Sequence, residues 1–553
     1  MRLVRHILAV SVCLFVFSSG QAVQIRREPG HRIPEYVIPT DRDNPVLWTK
    51  PQIMTKAAPP GHYANSSALR TGIIEYPLIL VDFSNRGFTI SDTLALLEHY
   101  DNVFNSKGYT DNTIYTHGNE TYYGPRGSVS DYFNDQSYGK FTPTFRIVGP
   151  VHPSREYQYY GSGSDANLIN LISEICDSVI SMGLIDLSEY ARNGVIEQLS
   201  IIYAGRGENY AGSDPNTIWP QASILNPDRN RASTLYRKGV NSVKYACTCE
   251  LFWDSDSILD GIGTFCHEFS HTLGLPDFYN TASASESESN SAMGFWSIMD
   301  YGNYEDGGFS PVGYTAFEKF SLGWMDIEEI GYAGNFTLQD ITHEPDPDAD
   351  IHSAYRLSTG NDDEFIILEN HNRTGWYSYH AAEGLLVTAV SYDNNAWHPD
   401  MNKVNSNSRF KRYQVLPADN NYNRNTNAGD PFPYNGKDSI TVTGNPQLKA
   451  GNSYPSLSVY NIRKKDGVIS FSAGPDIISN APGSLSEEIM LSIADGSLTI
   501  CAPSGTLVTV HDMSGRSVSE TITTGPVQQI ALPGQGVWIV KCGNIVRKIT
   551  SAL

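Results

Sequence analysis

Two histidines four residues apart, His267 and His271, stand in the run GIGTFCHEFSHTLGLPDFY from Gly261 to Tyr279. On a helix that spacing puts both imidazoles on one face, about one turn apart. Neutral imidazole is a natural zinc ligand. Glu268 follows the first histidine, so its carboxyl lies beside the ion, close enough to take a proton from water but not to ligate. Gly274 allows a sharp turn that ends the helix. Asp277 can then swing back as a third, oxygen ligand. The bland alternative is a helix with two satisfied histidines and a surface glutamate; the added glycine and aspartate make it much the weaker reading. A rival third ligand is Glu318, on a helix expected from Tyr314 to Ser321, and the sequence leaves Asp277 and Glu318 both open. Glu286 and Glu288 sit in a Ser-rich loop and read as solvated charge.

Further on, Gly294 to Tyr301 reads GFWSIMDY. Ser-x-Met-x-Tyr after such a helix resembles the Met-turn of metzincins, which would put Met299 beneath the metal; the plain alternative is a turn with a core methionine. Tyr301 then becomes a candidate donor to an oxyanion. The upstream strand near Tyr245 to Leu251 is a candidate edge for an extended substrate, added as one more strand.

The elements that must position these residues are legible in outline. Ile73 to Phe83 reads as a buried strand. Gly127 to Phe141 reads as a short helix with Ser128 as its cap and Gly139 as its stop. Ser164 to Met182 has Leu168, Leu171, Ile175 and Val179 at helical spacing with Ser164 as the cap, and Leu199 to Tyr203 is another strand. Strand and helix alternate as far as Trp324, which predicts an α/β unit. After it, short strand-like runs separated by Asn, Asp, Gly and Pro loops predict a β-rich region. The expected organisation is a signal peptide at 1–22, a Pro-rich pro-segment at 23–70, a catalytic domain at 71–330, a β-rich extension at 331–475, a linker at 476–488 and a C-terminal β-sandwich at 489–553. The fold class expected is α/β (α+β).

Arg2 and Arg5, then an apolar run from Ile7 to Phe17 and small residues up to Ala22, carry the signal-peptide reading. No later apolar run approaches a membrane span. Among 553 residues, Lys and Arg number 39 and Asp and Glu 60, for a net charge of −21. That balance argues against nucleic acid and against docking on anionic lipid. Cys501 and Cys542 lie in one C-terminal module, and a disulfide and two buried thiols are equally open. The acidic loops Asp254/Asp256 and Asp346/Asp348/Asp350 are candidates for structural calcium, with solvated charge the plainer reading.

The pattern HEFxHxLGLPDxY from His267 to Tyr279 resembles the immune inhibitor A family, family six of the metallopeptidases. RGSVSDYFNDQSYGKFTPTFRIVGPV (126–151), SPVGYTAFEKFSLGWMD (310–326), EFIILENHNRTGW (364–376), EGLLVTAVSYD (383–393) and GDPFP (429–433) extend the resemblance over about 70–475. Thr388 and Ala389 stand where relatives often carry a histidine. The resemblance implies a secreted zinc endopeptidase of the zincin fold acting on proteins or peptides, with His267 and His271 as ligands and Glu268 as general base. It also implies a zymogen, which suits 23–70; no cysteine lies there, so a cysteine switch is excluded. Residues 489–553, with VHDMSGRSV (510–518) and GVWIVKCGNIVRKI (536–549), resemble the sorting domain read by the type IX secretion machinery of Bacteroidetes. That implies delivery outside the cell or onto its outer surface. The reading from another class is a surface adhesin or glycan-binding protein with a vestigial protease domain, or a plain accessory β-domain at the C-terminus. The intact HExxH opposes the first, and Trp538 as the lone tryptophan of that module opposes a sugar-stacking platform.

Overall fold

The computed structural model describes residues 63–475 and most of 490–551, leaving aside 65, 67, 211–215, 283–291, 399–400, 423–426 and a few short stretches near the C-terminus. The signal sequence expected at 1–22, most of the pro-segment and the linker at 476–488 lie outside the described residues.

The chain builds first a mixed sheet. Its strands are β1 (Gly72–Val81), β2 (Phe141–Val151), β3 (Val195–Arg206), β4 (Gln221–Leu225) and β5 (Ser242–Leu251), in the order β2-β1-β3-β5-β4. The first four in that order run parallel, and β4 closes the edge antiparallel to β5. Tyr76 to Val81 is buried throughout because the sheet is covered on both faces. Alternate residues of β1 then serve different cores. Leu78 and Leu80 join Phe145, Phe265 and Phe269 on one face. Ile79 and Val81 join Leu171, Ile175 and Val179 on the other. The strand expected to offer a free edge, Tyr245 to Leu251, is interior: β5 has β3 on one side and β4 on the other. The last strand of the sheet is β4, which sequence reasoning passed over because Gln221–Leu225 is short and polar at one end.

Five helices matter to the site. The first, α1, is Thr93–Asn105, and α2 is Val129–Gln136. Ser128 caps α2 as expected, and Asp131 returns the bond to make a capping box. The helix expected from Ser164 is instead two: one ends at Asp165, and α3 (Leu168–Ser181) starts after Asn167. The helix bearing the histidines is α4 (Gly263–Leu273), and α5 is Ala316–Leu322.

A second, largely antiparallel sheet holds β6 (Ala354–Ser358), β7 (Glu364–His371), β8 (Gly384–Ser391) and β9 (Tyr413–Val415), with Glu328–Glu329 added parallel to β6. One face of it, with Phe365, Ile367, Leu386 and Val390, enters the same core as α4. The opposite face, with Ile366, Leu368, Leu385 and Val387, makes a separate core with Gly334–Leu338, Ser458–Lys465 and Val468–Gly474. Tyr63, Ala64 and Ala68 also enter the α4 core. Tyr63 is ringed by Phe317, Phe320, Phe365 and Tyr392, and the Ser66 hydroxyl donates to the carbonyl of Thr272 at 2.7 Å.

Near the C-terminus a three-stranded and a four-stranded antiparallel sheet share an apolar cluster that includes Leu498, Val508, Val510, Trp538 and Val540. Cys542 is a free, buried thiol there. Among the described residues, no helix is long and apolar enough to cross a membrane.

Candidate metal centre

The helix α4 lies inside the protein, apolar on most sides through Phe265, Cys266, Phe269 and Leu273. Its first residue must be glycine: a Cβ on Gly263 would stand 2.0 Å from the carbonyl oxygen of Asn303. Gly274 ends the helix at φ 110°, in the left-handed region, and turns the chain so that Asp277 faces back.

Each histidine is locked through Nδ1. His267 Nδ1 lies 2.7 Å from the carbonyl oxygen of Ile298, and His271 Nδ1 lies 2.7 Å from that of Leu275. A carbonyl only accepts, so both rings carry their proton on Nδ1 and offer a lone pair at Nε2. Both lone pairs converge on one atom. Asp277 Oδ1 is 3.1 Å from His267 Nε2 and 3.3 Å from His271 Nε2. That buried oxygen has no hydrogen-bond donor. The contacts are ion pairs only if a ring gains a second proton; otherwise three acceptors face one another in a dry site, which is costly without a cation. Ligands about 2.0–2.1 Å from a tetrahedral zinc are about 3.3 Å apart, which these separations match.

The charges respond accordingly. Burial depresses His271, but the Asp277 carboxylate overrides it and pushes the imidazole up to about 9. His267 is raised against its burial by Asp277 and Glu268. Burial alone would raise Asp277, yet the two histidines hold its carboxyl far below the usual range. The carboxylate and the two imidazoles thus favour a positive charge between them, which a divalent cation would supply.

Glu268 is buried on the next position of α4. Burial raises its carboxyl above the ordinary value, against the pull of both imidazoles and of the Ala222 backbone on β4. The sheet's last strand therefore touches the would-be general base. Tyr279 is within hydrogen-bonding reach of Asp277 and feels the charge of Glu268, and its phenol is raised by burial and by both carboxylates. Tyr301 is buried, with its ring 6.3 Å from that of Phe295.

The loop of Met299 is tied to this centre. Its Ile298 carbonyl holds His267, and its Met299 carbonyl accepts from the N–H of Phe278, next to Asp277, at 2.7 Å. Glu318 holds the loop rather than standing among the histidines. Its Oε1 accepts from the Ser297 hydroxyl at 2.5 Å, and its Oε2 accepts from Thr315 N at 2.6 Å and Thr315 Oγ1 at 2.9 Å, completing the N-terminal capping box of α5. Burial pushes that carboxyl up to about 7.

Among the described residues, His267, His271 and Asp277 are the one grouping of three or more His, Cys, Asp or Glu that could hold a metal ion. The acidic loops make other contacts: Asp254 pairs with His117, Asp256 with Arg206 at 2.7 Å, and Asp346 accepts from Asp348 N at 3.1 Å within its own turn. Sequence reasoning missed Asn402. Its Nδ2 donates to Asp277 Oδ2 at 2.5 Å, across 125 positions of chain, and no local pattern marks it. It also missed Tyr279, whose signal was its place two residues after Asp277.

Residues 75–326 match the model of the immune inhibitor A peptidase M6 catalytic domain. The chain is 26% identical over 267 residues to the pre-pro-metalloprotease PrtV of Vibrio cholerae serotype O1 (strain M66-2), covering 42% of this chain and 27% of that protein. The same protein of strain ATCC 39315 / El Tor Inaba N16961 gives the same figures. Immune inhibitor A of Bacillus thuringiensis subsp. alesti is 25% identical over 245 residues, 37% of this chain and 34% of that one. The chain thus spans about a quarter to a third of the length of these curated relatives. The stretch 75–326, which carries His267, Glu268, His271 and Asp277, is similar to a metallopeptidase catalytic domain, a hydrolase of peptide bonds that works with a metal ion.

Proposed function

We propose that this chain is a secreted zinc endopeptidase of the metzincin-like, zincin class, with His267, His271 and Asp277 as ligands and Glu268 as general base. The observation that carries the reading is the convergence of two Nε2 lone pairs on the donorless Asp277 Oδ1. When bound, the zinc ion polarises the scissile carbonyl and brings the pKa of water down to about 7.

The protein's own groups do the rest. The carbonyls of Ile298 and Leu275 keep both imidazoles in the tautomer that ligates. Glu268, raised by burial, accepts a proton from the attacking water and later passes it to the leaving amine. Tyr301 is the proposed donor to the oxyanion, and Tyr279 is a second phenol that feels the charge of both Glu268 and Asp277. An extended peptide adds to the sheet at β4, whose Ala222 backbone already reaches Glu268. Residues 1–22 serve as the export signal and 489–553 as a sorting address for the outer surface of a Bacteroidetes-like bacterium. Normal surface levels of a chain lacking 489–553 would contradict that address.

Casein digestion tests the activity. The chain should cleave casein, lose cleavage to a chelator and regain it with zinc. Cleavage that is absent with zinc in place would favour the adhesin reading, and cleavage that ignores the chelator would exclude the metal.

A further inference from the structure

We infer that Asn402 is a positioning residue of the metal centre, so that a loop outside the stretch 75–326 sets how tightly the metal is held. The inference rests on the zinc reading above. Asn402 grips Asp277 twice: its Nδ2 donates to Asp277 Oδ2 at 2.5 Å, and its Oδ1 accepts from the Asp277 N–H at 2.8 Å. Side chain and backbone of one ligand are thus fixed by a single amide. With Oδ2 engaged, Oδ1 is the oxygen left facing His267 and His271.

An amide suits this task better than a charged partner would. It orients the carboxylate and satisfies one oxygen while leaving the whole negative charge for the cation. A lysine or arginine in its place would spend that charge on itself.

Asn402 is itself held by several devices. Its carbonyl accepts from the Thr281 hydroxyl at 2.6 Å. Its φ is 48°, in the left-handed region that asparagine tolerates and most residues do not. Three residues on, Asn405 bonds the Phe278 carbonyl at 2.7 Å and the Tyr413 carbonyl at 2.7 Å, and accepts from the N–H groups of Arg412 and Tyr413. Trp397 and Tyr413 pack their rings on Phe278 at 5.5 and 4.8 Å. The segment between β8 and β9 therefore clamps Asp277 and Phe278, and carries the anchoring back to the second sheet.

Two variants isolate the effect in the 553-residue chain. Asn402→Asp keeps the shape, the acceptor and the tolerance of this φ, but deletes the donor to Oδ2. Asn402→Gly removes both bonds without backbone strain. Zinc affinity is read by competition with a chromophoric chelator, and the melting temperature of the metal-free protein is read beside it. Both variants should bind zinc about 10–100-fold more weakly than the unaltered chain. A lowered melting temperature with unchanged zinc affinity would mean that Asn402 only supports the fold, and would overturn the inference. Asp277→Ala serves as the control: if it loses zinc while both Asn402 variants bind normally, the inference fails and the metal centre stands. If Asp277→Ala itself binds zinc normally, the metal centre fails with it.

Discussion

Glu268 differs from Asp277, the other carboxylate of the centre: burial raises it above the ordinary value, whereas the two imidazoles hold Asp277 far below. That is the condition of a group meant to exchange a proton. Glu268→Gln keeps volume and polarity and removes only the basicity, so kcat on casein should fall at least about 100-fold while zinc is retained. Near-normal turnover by the variant would show that another group takes the proton. At this scale the sequence was readable wherever chemistry is local. His267, Glu268 and His271 are set by one helical turn, and Asp277 by a glycine that breaks it. Where partners are far apart in the chain it was not. Glu318 stood beside Asp277 as a rival ligand in the sequence, and its two oxygens are held by Ser297 and Thr315. Asn402 carried no sign at all.

Among the elements, α4 depends on what enters it. Asp260 lies three residues before the helix and is half-buried, accepting from Gly261 N at 2.9 Å and from the Tyr210 hydroxyl at 3.3 Å. Burial pushes its carboxyl up to about 8, far above the usual carboxylate range. The folded chain therefore keeps a proton that the unfolded chain has already lost. Stability from this group is complete below about pH 4 and drains away as pH rises towards 8, by up to about 1.4 kcal/mol per unit. Asp260→Asn should remove that drain. Urea midpoints of the two proteins should differ more at pH 8 than at pH 5, with the variant gaining as pH rises; a constant difference would show that Asp260 is ionised in both states. Helix caps such as Ser128 and the strand at Gly72–Val81 could be read from the sequence because caps and apolar runs are local. Sheet order could not. Whether β5 or β4 ends the sheet depends on pairing between segments that have no memory of each other in sequence, and the apolar β5 was the interior one.

The molecule as a whole joins its first two sheets around α4. Residues from Tyr63 to Val415 share that core, so the β-rich region after Trp324 helps to build the site as well as to follow it. Among the described residues, the C-terminal sheets draw their apolar cluster from their own strands. Composition and texture could not show that Tyr63 and Asn402 belong with the histidines, because both connections are long-range. The metal centre depends on which carboxylate completes its ligand set. Zinc per chain, measured after dialysis on the unaltered protein, Asp277→Ala and Glu318→Gln, decides it. One zinc in the unaltered chain and in Glu318→Gln, and none in Asp277→Ala, is the expected result. Stoichiometric zinc in Asp277→Ala together with its loss in Glu318→Gln would contradict the centre described here.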